Sequence, residues 1–268
     1  MERLLVLPRK TRYSPPDAWV GEPDLFAPHP DLVEISCVFT WDVAECLRLK
    51  AAWEGYAKQV LVGGPGFGDD GGAFVPGRFV KLGVTYTSRG CPRRCSWCYV
   101  PQREGSIREL DIAPGNIVQD NNLLACSREH IEKVFRMLES QRAIKFSGGL
   151  DHRLLRQWHL EAISALRLDE VWLAYDHKSH RKSALKAIEL ARKYFSREKV
   201  RCYVMVGKDE DIAGAEQRLR EAYNAGALPF CQVWDKVWSR LDDRRSWRMT
   251  ARVWQRPAIY RSVMRREG

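Results

Sequence analysis

Short runs of β-branched and apolar residues alternate along the chain with stretches in which apolar residues recur every three or four positions. The first pattern predicts strands and the second predicts amphipathic helices. Their alternation favours an α/β fold over an all-β fold. In the N-terminal part, this pattern predicts strands at residues 4–7, 33–39 and 60–62, with a helix at 42–56 before the last of them.

A glycine- and proline-rich stretch at residues 63–77 interrupts the pattern and predicts a boundary. A longer and more regular series of strands and helices follows it. Strands and helices at this spacing form parallel sheets with right-handed crossovers. A complete eight-unit barrel needs about 250 residues, so the six units predict an open, partial (β/α)6 barrel. Its predicted strands lie at residues 80–87, 116–119, 143–146, 171–174, 200–206 and 230–233, with helices at 128–139, 154–166 and 181–194 among them.

Composition narrows the class of protein. An apolar share of 45% excludes a disordered chain. No apolar run approaches the ~20 residues that span a bilayer, and the N-terminal run at 4–7 is too short for a signal peptide. We therefore expect a soluble, cytoplasmic protein with no membrane partner. Lys and Arg (44) exceed Asp and Glu (34), and the net charge of +10 is compatible with nucleic acid or with an anionic ligand.

Three of the eight cysteines are spaced C-x3-C-x2-C in a loop that directly follows a predicted strand: Cys91, Cys95 and Cys98. Thiolates bind soft metals and iron–sulfur clusters. A closed zinc site needs four protein ligands, and the next cysteine is the distant Cys126. Three thiolates on a four-iron cluster leave one iron open for a reacting ligand. The alternatives are packed thiols or part of a zinc site.

An aromatic residue, Trp97, precedes the last of these cysteines, within the string SRGCPRRCSWCYVPQREG. This segment resembles the signature of radical S-adenosylmethionine (SAM) enzymes. It is similar to the version in members with an N-terminal cobalamin-binding-like domain and in methylthiotransferases. The resemblance implies a [4Fe-4S] cluster on Cys91, Cys95 and Cys98, with SAM on the fourth iron. It implies that one electron then cleaves SAM to methionine and a 5′-deoxyadenosyl radical, which takes a hydrogen atom from the substrate. It also implies an electron donor of the flavodoxin or ferredoxin type.

Further residues are assigned to SAM through the resemblance, and each has a plainer alternative. All stand where predicted parallel strands end, which is where such folds bind ligands. Trp97 packs beside the cluster or the adenine, or is a buried hydrophobe. The polar triplet Asp120, Asn121 and Asn122 contacts the SAM amino group or forms an ordinary turn. Asp176 holds the ribose hydroxyls or caps a helix. In the sixth strand, Val233 and Trp234 contact adenine.

The glycines in the segment 147–151, at the end of the third predicted barrel strand, allow close approach of a ligand or form a simple turn.

Residues 1–78 are similar to the end of a cobalamin-binding Rossmann-like domain and form a short, truncated appendage. None of the six histidines stands in the D-x-H-x-x-G context that supplies a cobalamin ligand. We therefore do not expect cobalamin. The five cysteines outside the motif show no tight spacing, so no auxiliary cluster is expected; they are Cys37, Cys46, Cys126, Cys202 and Cys231.

The predicted barrel occupies residues 79–238, and an Arg- and Trp-rich tail occupies 239–268. Residues Trp247, Ala251, Trp254 and Ala258 recur at helical spacing, and Pro257 ends that helix or begins another. The tail either covers the open barrel with its tryptophans or binds phosphates with its arginines. We favour a tail that covers the open barrel, and we therefore expect a small-molecule substrate rather than nucleic acid.

The predicted function is that of a radical SAM enzyme. The alternative is a non-catalytic metal- or iron–sulfur-binding module that binds nucleic acid through the basic tail. Six strand–helix units argue against that module, because a simple metal-binding ribbon does not need them.

Overall fold

The computed structural model describes residues 2–69, 72–234 and 244–266. The chain divides into two compact units, of which the first comprises Met1–Arg94 and Tyr99–Gly115 and the second Cys95–Cys98 and Asn116–Gly268. The division runs through the cysteine segment, so each unit is described by itself. Within the described ranges, no helix is both long and apolar enough to cross a membrane.

The first unit contains a four-stranded parallel sheet in the order β2-β1-β3-β4 and one long helix. The strands are β1 (Arg3–Leu7), β2 (Trp19–Val20), β3 (Leu32–Ser36) and β4 (Gln59–Gly63), and the helix is α1 (Val43–Trp53). Helix α1 buries Leu49 and Trp53 against the apolar residues of β3. The parallel strands and the helix confirm the α/β pattern predicted for this part of the chain, while its likeness to a Rossmann-like domain stays a prediction. The two-residue strand β2 is too short to leave a periodic signal.

Short elements complete the first unit: β5 (Val84–Thr85), β6 (Ser88–Arg89), α2 (Val100–Arg103) and β7 (Arg108–Glu109). Strands β6 and β7 pair antiparallel. The predicted strand at 80–87 is therefore wrong in extent, since only β5 within it is extended and paired. The cause is Gly83, whose φ of 89° lies in the left-handed region and breaks the strand.

In the second unit, five parallel strands alternate with helices. Their spatial order is β8-β9-β10-β11-β12, the same as their order along the chain. This confirms an α/β fold with parallel strands, while closure into a partial barrel stays a prediction. The strands are β8 (Ile117–Val118), β9 (Ile144–Leu150), β10 (Leu168–Ala174), β11 (Val200–Val206) and β12 (Leu228–Val233), and the helices between them are α3 (Arg128–Glu139), α4 (Gln157–Ser164), α5 (Arg181–Arg192) and α6 (Ile212–Asn224).

Local signals explain where these helices begin. Ser127 caps α3 by accepting a hydrogen bond from the His130 N–H. Asp211 caps α6 in the same way. Helix α4 begins later than predicted because the amides of Leu154 and Leu155 bond back to the Asp151 carbonyl in a separate turn.

Two helices follow β12: α7 (Arg244–Trp254) and α8 (Pro257–Arg266). Helix α7 buries Trp247, Ala251 and Trp254. Beyond its end, the Gln255 side chain donates to the Cys231 carbonyl of β12 at 3.0 Å. Ala258 is exposed, because Pro257 begins a new helix and takes Ala258 off the buried face. The predicted junction at 238/239 lies outside the described residues.

Candidate functional site

The cysteine segment starts at a glycine that no other residue can replace. Gly90 has a φ of 79°, and a Cβ there would lie 2.1 Å from the Ser106 carbonyl oxygen. The next residue, Cys91, donates its N–H to the Gly105 carbonyl at 3.1 Å. The Cys91 thiol is half-buried and accepts from the Arg93 N–H at 3.5 Å. The two ends of the segment 90–105 are therefore held together.

A buried carboxylate reinforces the base of this loop. The Glu104 side chain is almost fully buried and accepts a hydrogen bond from Arg103 at 2.6 Å, while Arg89 lies 3.9 Å away. Glu104 also accepts from the Gly90 N–H at 3.4 Å. The charge is paired, and the same side chain fixes the loop at both ends.

Cys95 and Cys98 belong to the second unit, where they form one turn. The Cys98 N–H donates to the Cys95 carbonyl at 3.1 Å, and both thiols are half-buried. Trp97 between them stacks on His177 with ring centroids 5.4 Å apart, and its ring lies 5.8 Å from His180. The turn therefore rests on the segment that follows β10.

The segment after β9 brings an ion pair to the same region. Arg153 donates from its Nε to Asp151 Oδ1 at 2.7 Å and from its Nη2 to Oδ2 at 3.1 Å. The buried Asn122 donates to Asp151 Oδ2 at 3.2 Å. Asn122, assigned to SAM or to a turn, thus supports a carboxylate that fixes the orientation of Arg153.

The polar segment after β8 lies deep in the second unit. Asp120 is 2% exposed, and its carbonyl oxygen would lie 2.1 Å from a Cβ at Gly148. Gly148 therefore permits the close approach of two chain segments. Asn121, beside it, is half-buried.

Two polar atoms nearby are buried without a hydrogen-bond partner among the described residues, Gln119 Nε2 and Ser147 Oγ. Such atoms normally bond to water or to a ligand, so this strand end is suited to a polar ligand group.

Asp176 follows β10, where the positive charge of Arg218 and the Met205 N–H act to lower its pKa. Burial nevertheless raises the pKa of Asp176 to about 6, because these two partners only partly offset the loss of solvent.

Arg218 on α6 is a buried residue that the sequence did not reveal as important. It donates to the Tyr175 carbonyl at 2.6 Å, to the Met205 carbonyl at 2.5 Å, and from its Nε to Glu210 at 2.9 Å. These bonds tie the ends of β10 and β11 together. An arginine on an amphipathic helix normally faces water, so the sequence does not predict that Arg218 is buried. The only sequence signal for a buried ion pair is Glu210, an acid close to the end of β11.

The last predicted pair ends β12. Val233 is its final residue, and the Trp234 N–H donates to the Val206 carbonyl at 2.9 Å. The Lys208 ammonium lies 5.2 Å from the centre of the Trp234 ring. Both residues therefore stand at the carboxyl end of the sheet, where they were predicted.

The three motif donors are thiols, the ligand type of iron–sulfur clusters. In the described part of the chain, no three His, Cys, Asp or Glu side chains form a group that could hold one metal ion. Zinc requires its ligands to converge on one point. A four-iron cluster takes each thiolate on a different iron, so its thiolates face one common cluster at a wider spacing than the ligands of a single ion. Three half-buried thiols within eight residues therefore fit cluster chemistry.

No family model matches the chain, and no curated protein matches it. Among solved structures, it is similar to the radical SAM methyltransferase TsrM from Kitasatospora setae, which was solved with cobalamin and a [4Fe-4S] cluster bound. The two share 12% identity with a TM-score of 0.62, over 86% of this chain and 74% of that chain. Because this neighbour holds cobalamin, our expectation that cobalamin is absent is not supported. At this identity the likeness concerns the fold, and the chain has a radical SAM-like fold.

Proposed function

We propose that the protein is a radical SAM enzyme that binds a [4Fe-4S] cluster through Cys91, Cys95 and Cys98. The observation that carries this proposal is a coincidence of two independent features. The cysteine motif comes from the sequence alone, and the fold likeness to TsrM comes from the backbone at only 12% identity. The motif supports the proposed cluster chemistry, and the fold likeness supports a chain that folds like a radical SAM enzyme.

When bound, the cluster supplies the electron that cleaves SAM reductively. The three thiolates anchor it, and the fixed loop around Glu104 orients Cys91. Partial burial of all three thiols limits the access of water and oxygen. The physiological electron is proposed to come from a flavodoxin- or ferredoxin-type donor.

For SAM itself, we propose the carboxyl ends of the parallel strands. Asp120 and Asn121 after β8 are proposed to meet the amino group, next to the buried, unsatisfied Gln119 Nε2 and Ser147 Oγ. The proposed contacts to the ribose and the adenine are Asp176, Trp97, Val233 and Trp234.

The alternative is a non-catalytic metal-binding module that uses the basic tail on nucleic acid. The tail does not favour it, because the aromatic rings of α7 that would stack on bases are buried. A small-molecule substrate therefore remains our proposal.

Anaerobic reconstitution with iron and sulfide tests the proposal. We expect a brown protein with about four irons per chain, and 5′-deoxyadenosine on addition of SAM and dithionite. Alanine at any one of the three motif cysteines should abolish SAM cleavage, since alanine offers no thiolate to iron. The readouts are iron content, electron paramagnetic resonance of the reduced cluster, and chromatography of the nucleoside.

Cys46→Ala is the matched control, because Cys46 is a fully buried thiol in α1. It should leave iron content and SAM cleavage unchanged. One zinc per chain and no colour would select the metal-binding module instead. Wild-type production of 5′-deoxyadenosine by Cys95→Ala would also contradict the proposal.

Cobalamin uptake is a separate measurement. Absorbance of the desalted protein after incubation with hydroxocobalamin decides it independently of iron content.

A further inference from the structure

We propose that the exposed face of α7 is a docking surface for an acidic electron-donor protein of the flavodoxin or ferredoxin type. This rests on the proposed function, since reductive cleavage of SAM needs such a donor. The surface, named here the α7 outer face, consists of Arg245, Arg248, Met249 and Arg252.

These side chains face outwards because the opposite side of α7 is packed. Helix α7 buries Trp247, Ala251 and Trp254. At 3.6 residues per turn, the four residues of the α7 outer face lie on the other side of the helix, and all four are exposed. The helix therefore cannot turn its arginines inwards without exposing two buried tryptophans.

The positive charge of the α7 outer face is available to a partner. Arg245 and Arg252 make no hydrogen bond or ion pair with any other residue that the structure describes. From 244 to 266 the sequence contains neither Asp nor Glu, and every basic residue there is an arginine. The planar guanidinium of arginine can bind both oxygens of a carboxylate, so this face fits an acidic surface.

Met249 gives the same face an apolar centre. It is 55% exposed, and it is the one large apolar side chain that the described part of the second unit exposes. Protein–protein interfaces are enriched in methionine and arginine and depleted in lysine. An apolar side chain among arginines therefore has the composition of a protein-binding surface.

The composition of this face favours an acidic protein over nucleic acid. Binding of single-stranded nucleic acid combines basic side chains with exposed aromatic rings that stack on bases. The aromatic rings of α7, Trp247 and Trp254, are buried. Exposed Met249 offers no charge to a phosphate, whereas it can contact an apolar side chain of a protein.

The α7 outer face belongs to the same unit as Cys95 and Cys98. The turn that carries these cysteines rests on the segment after β10, and α7 is tied to β12. Only β11 separates β10 from β12, which places the two strands about 10 Å apart. A domain of 100 residues has a radius of gyration of about 13 Å, so a donor protein is wider than this separation.

Charge reversal tests the proposal in the reconstituted full-length protein. The test variant combines Arg245→Glu with Arg252→Glu. The matched control combines Lys182→Glu with Lys186→Glu on α5, which changes the net charge equally. Both lysines are exposed and form no ion pair with another described residue.

Formation of 5′-deoxyadenosine is measured with two kinds of reductant. One is dithionite, which needs no docking surface. The other is a purified acidic flavodoxin or ferredoxin, kept reduced by its reductase and titrated to obtain its KM.

With the protein donor, the α7 variant should show a KM raised at least about tenfold, because its new carboxylates repel those of the donor. The α5 variant should stay within about twofold of wild type. High salt should raise the wild-type KM and reduce the difference, since exposed charges are screened. With dithionite, both variants should cleave SAM at the wild-type rate.

Met249→Ala tests the apolar centre without a change of charge. It should raise the KM for the donor at least about threefold, and this effect should persist at high salt. Thermal melting checks the fold of each variant. If charge reversal lowers the melting temperature, Arg245→Gln with Arg252→Gln takes its place, with the same expected direction.

A wild-type KM for both donors in the α7 variant would overturn the inference and leave the proposed function standing. Cleavage by the wild-type protein with dithionite but with neither donor would also overturn it. Tight binding of RNA that the α7 variant loses, with an unchanged KM for the donor, would identify the face as a nucleic-acid interface instead. Failure of the wild-type protein to cleave SAM with dithionite would overturn the proposed function itself.

Discussion

Position 148 has no room for even one methyl group. A Cβ on Gly148 would lie 2.1 Å from the Asp120 carbonyl oxygen and 2.8 Å from the Gln119 carbonyl carbon. These are backbone atoms, which cannot rotate away. We expect Gly148→Ala to lower the free energy of unfolding by about 1–3 kcal/mol or more, as overpacking does. Urea denaturation followed by circular dichroism measures it.

Gly55→Ala is the control for that change. No atom of the described residues lies within 4 Å of a Cβ built on Gly55, and its φ is not in the left-handed region. Its stability should stay within ~0.5 kcal/mol of wild type. Equal stability of the two variants would mean that the segments after β8 and within β9 do not meet as described.

The Asp176 carboxyl should give stability an unusual pH dependence. Its pKa is about 6 in the folded chain, against an ordinary value of 3.8, because burial disfavours the charged form. Between these two values the folded state binds more protons than the unfolded state, so stability falls as pH rises from about 4 to 6. The loss amounts to ~3 kcal/mol at most.

Asp176→Asn mimics the protonated acid and should not show this loss. Relative to wild type, it should gain stability between about pH 4 and pH 7, as measured by denaturant unfolding at each pH. The exposed Asp17→Asn variant controls for general charge effects. A stability difference between Asp176→Asn and wild type that is constant with pH would contradict the raised pKa.

At the scale of elements, α7 depends on its tryptophans. Trp254 is 1% exposed, and its ring lies 5.2 Å from that of Tyr260 in a stacked arrangement. Removing such a ring leaves a cavity, so Trp254→Ala should cost ~3–5 kcal/mol. Thermal or urea unfolding of the full-length protein measures this loss.

The opposite face of the same helix serves as the control. Arg252 is exposed, and Arg252→Ala should change stability by less than ~0.5 kcal/mol. If Trp254→Ala were as stable as Arg252→Ala, the tail would not be a cover. Tight, salt-dependent binding of RNA or DNA that Arg248→Ala with Arg252→Ala weakens would instead favour a nucleic-acid substrate.

The bounds of an element were predicted correctly where the local sequence pattern alone determines them. Strand β11 is a continuous apolar run and was predicted at its observed bounds, as was α3, whose Ser127 cap and apolar periodicity agree. Strand β5 was overextended because the apolar residues around it conceal the left-handed Gly83. The start of α4 was predicted too early, because the amides of Leu154 and Leu155 form a separate turn by bonding to the Asp151 carbonyl. No local sequence pattern indicates these bonds.

For the whole molecule, the α/β fold and the cysteine segment follow from spacing along the chain, and spacing is visible in a sequence. The partners of the candidate site are not. Arg153 and Arg218 act through Asp151, Glu210 and backbone carbonyls that only folding brings near. An arginine in a helical or turn pattern predicts a solvated side chain. Its burial beside strand ends is decided by tertiary contacts alone.

The cover that α7 gives to β12 has a consequence for how the protein is made. Strand β12 is last in the order of its sheet, and its Cys231 carbonyl is satisfied by Gln255, which leaves the ribosome more than twenty residues later. Until then, the nascent chain exposes β12 as an uncovered edge strand, which can pair with a strand of another chain and cause aggregation. On overexpression, a chain truncated before residue 244 should therefore form more inclusion bodies than the full-length chain. Co-expression of a chaperone that binds nascent chains should reduce this difference.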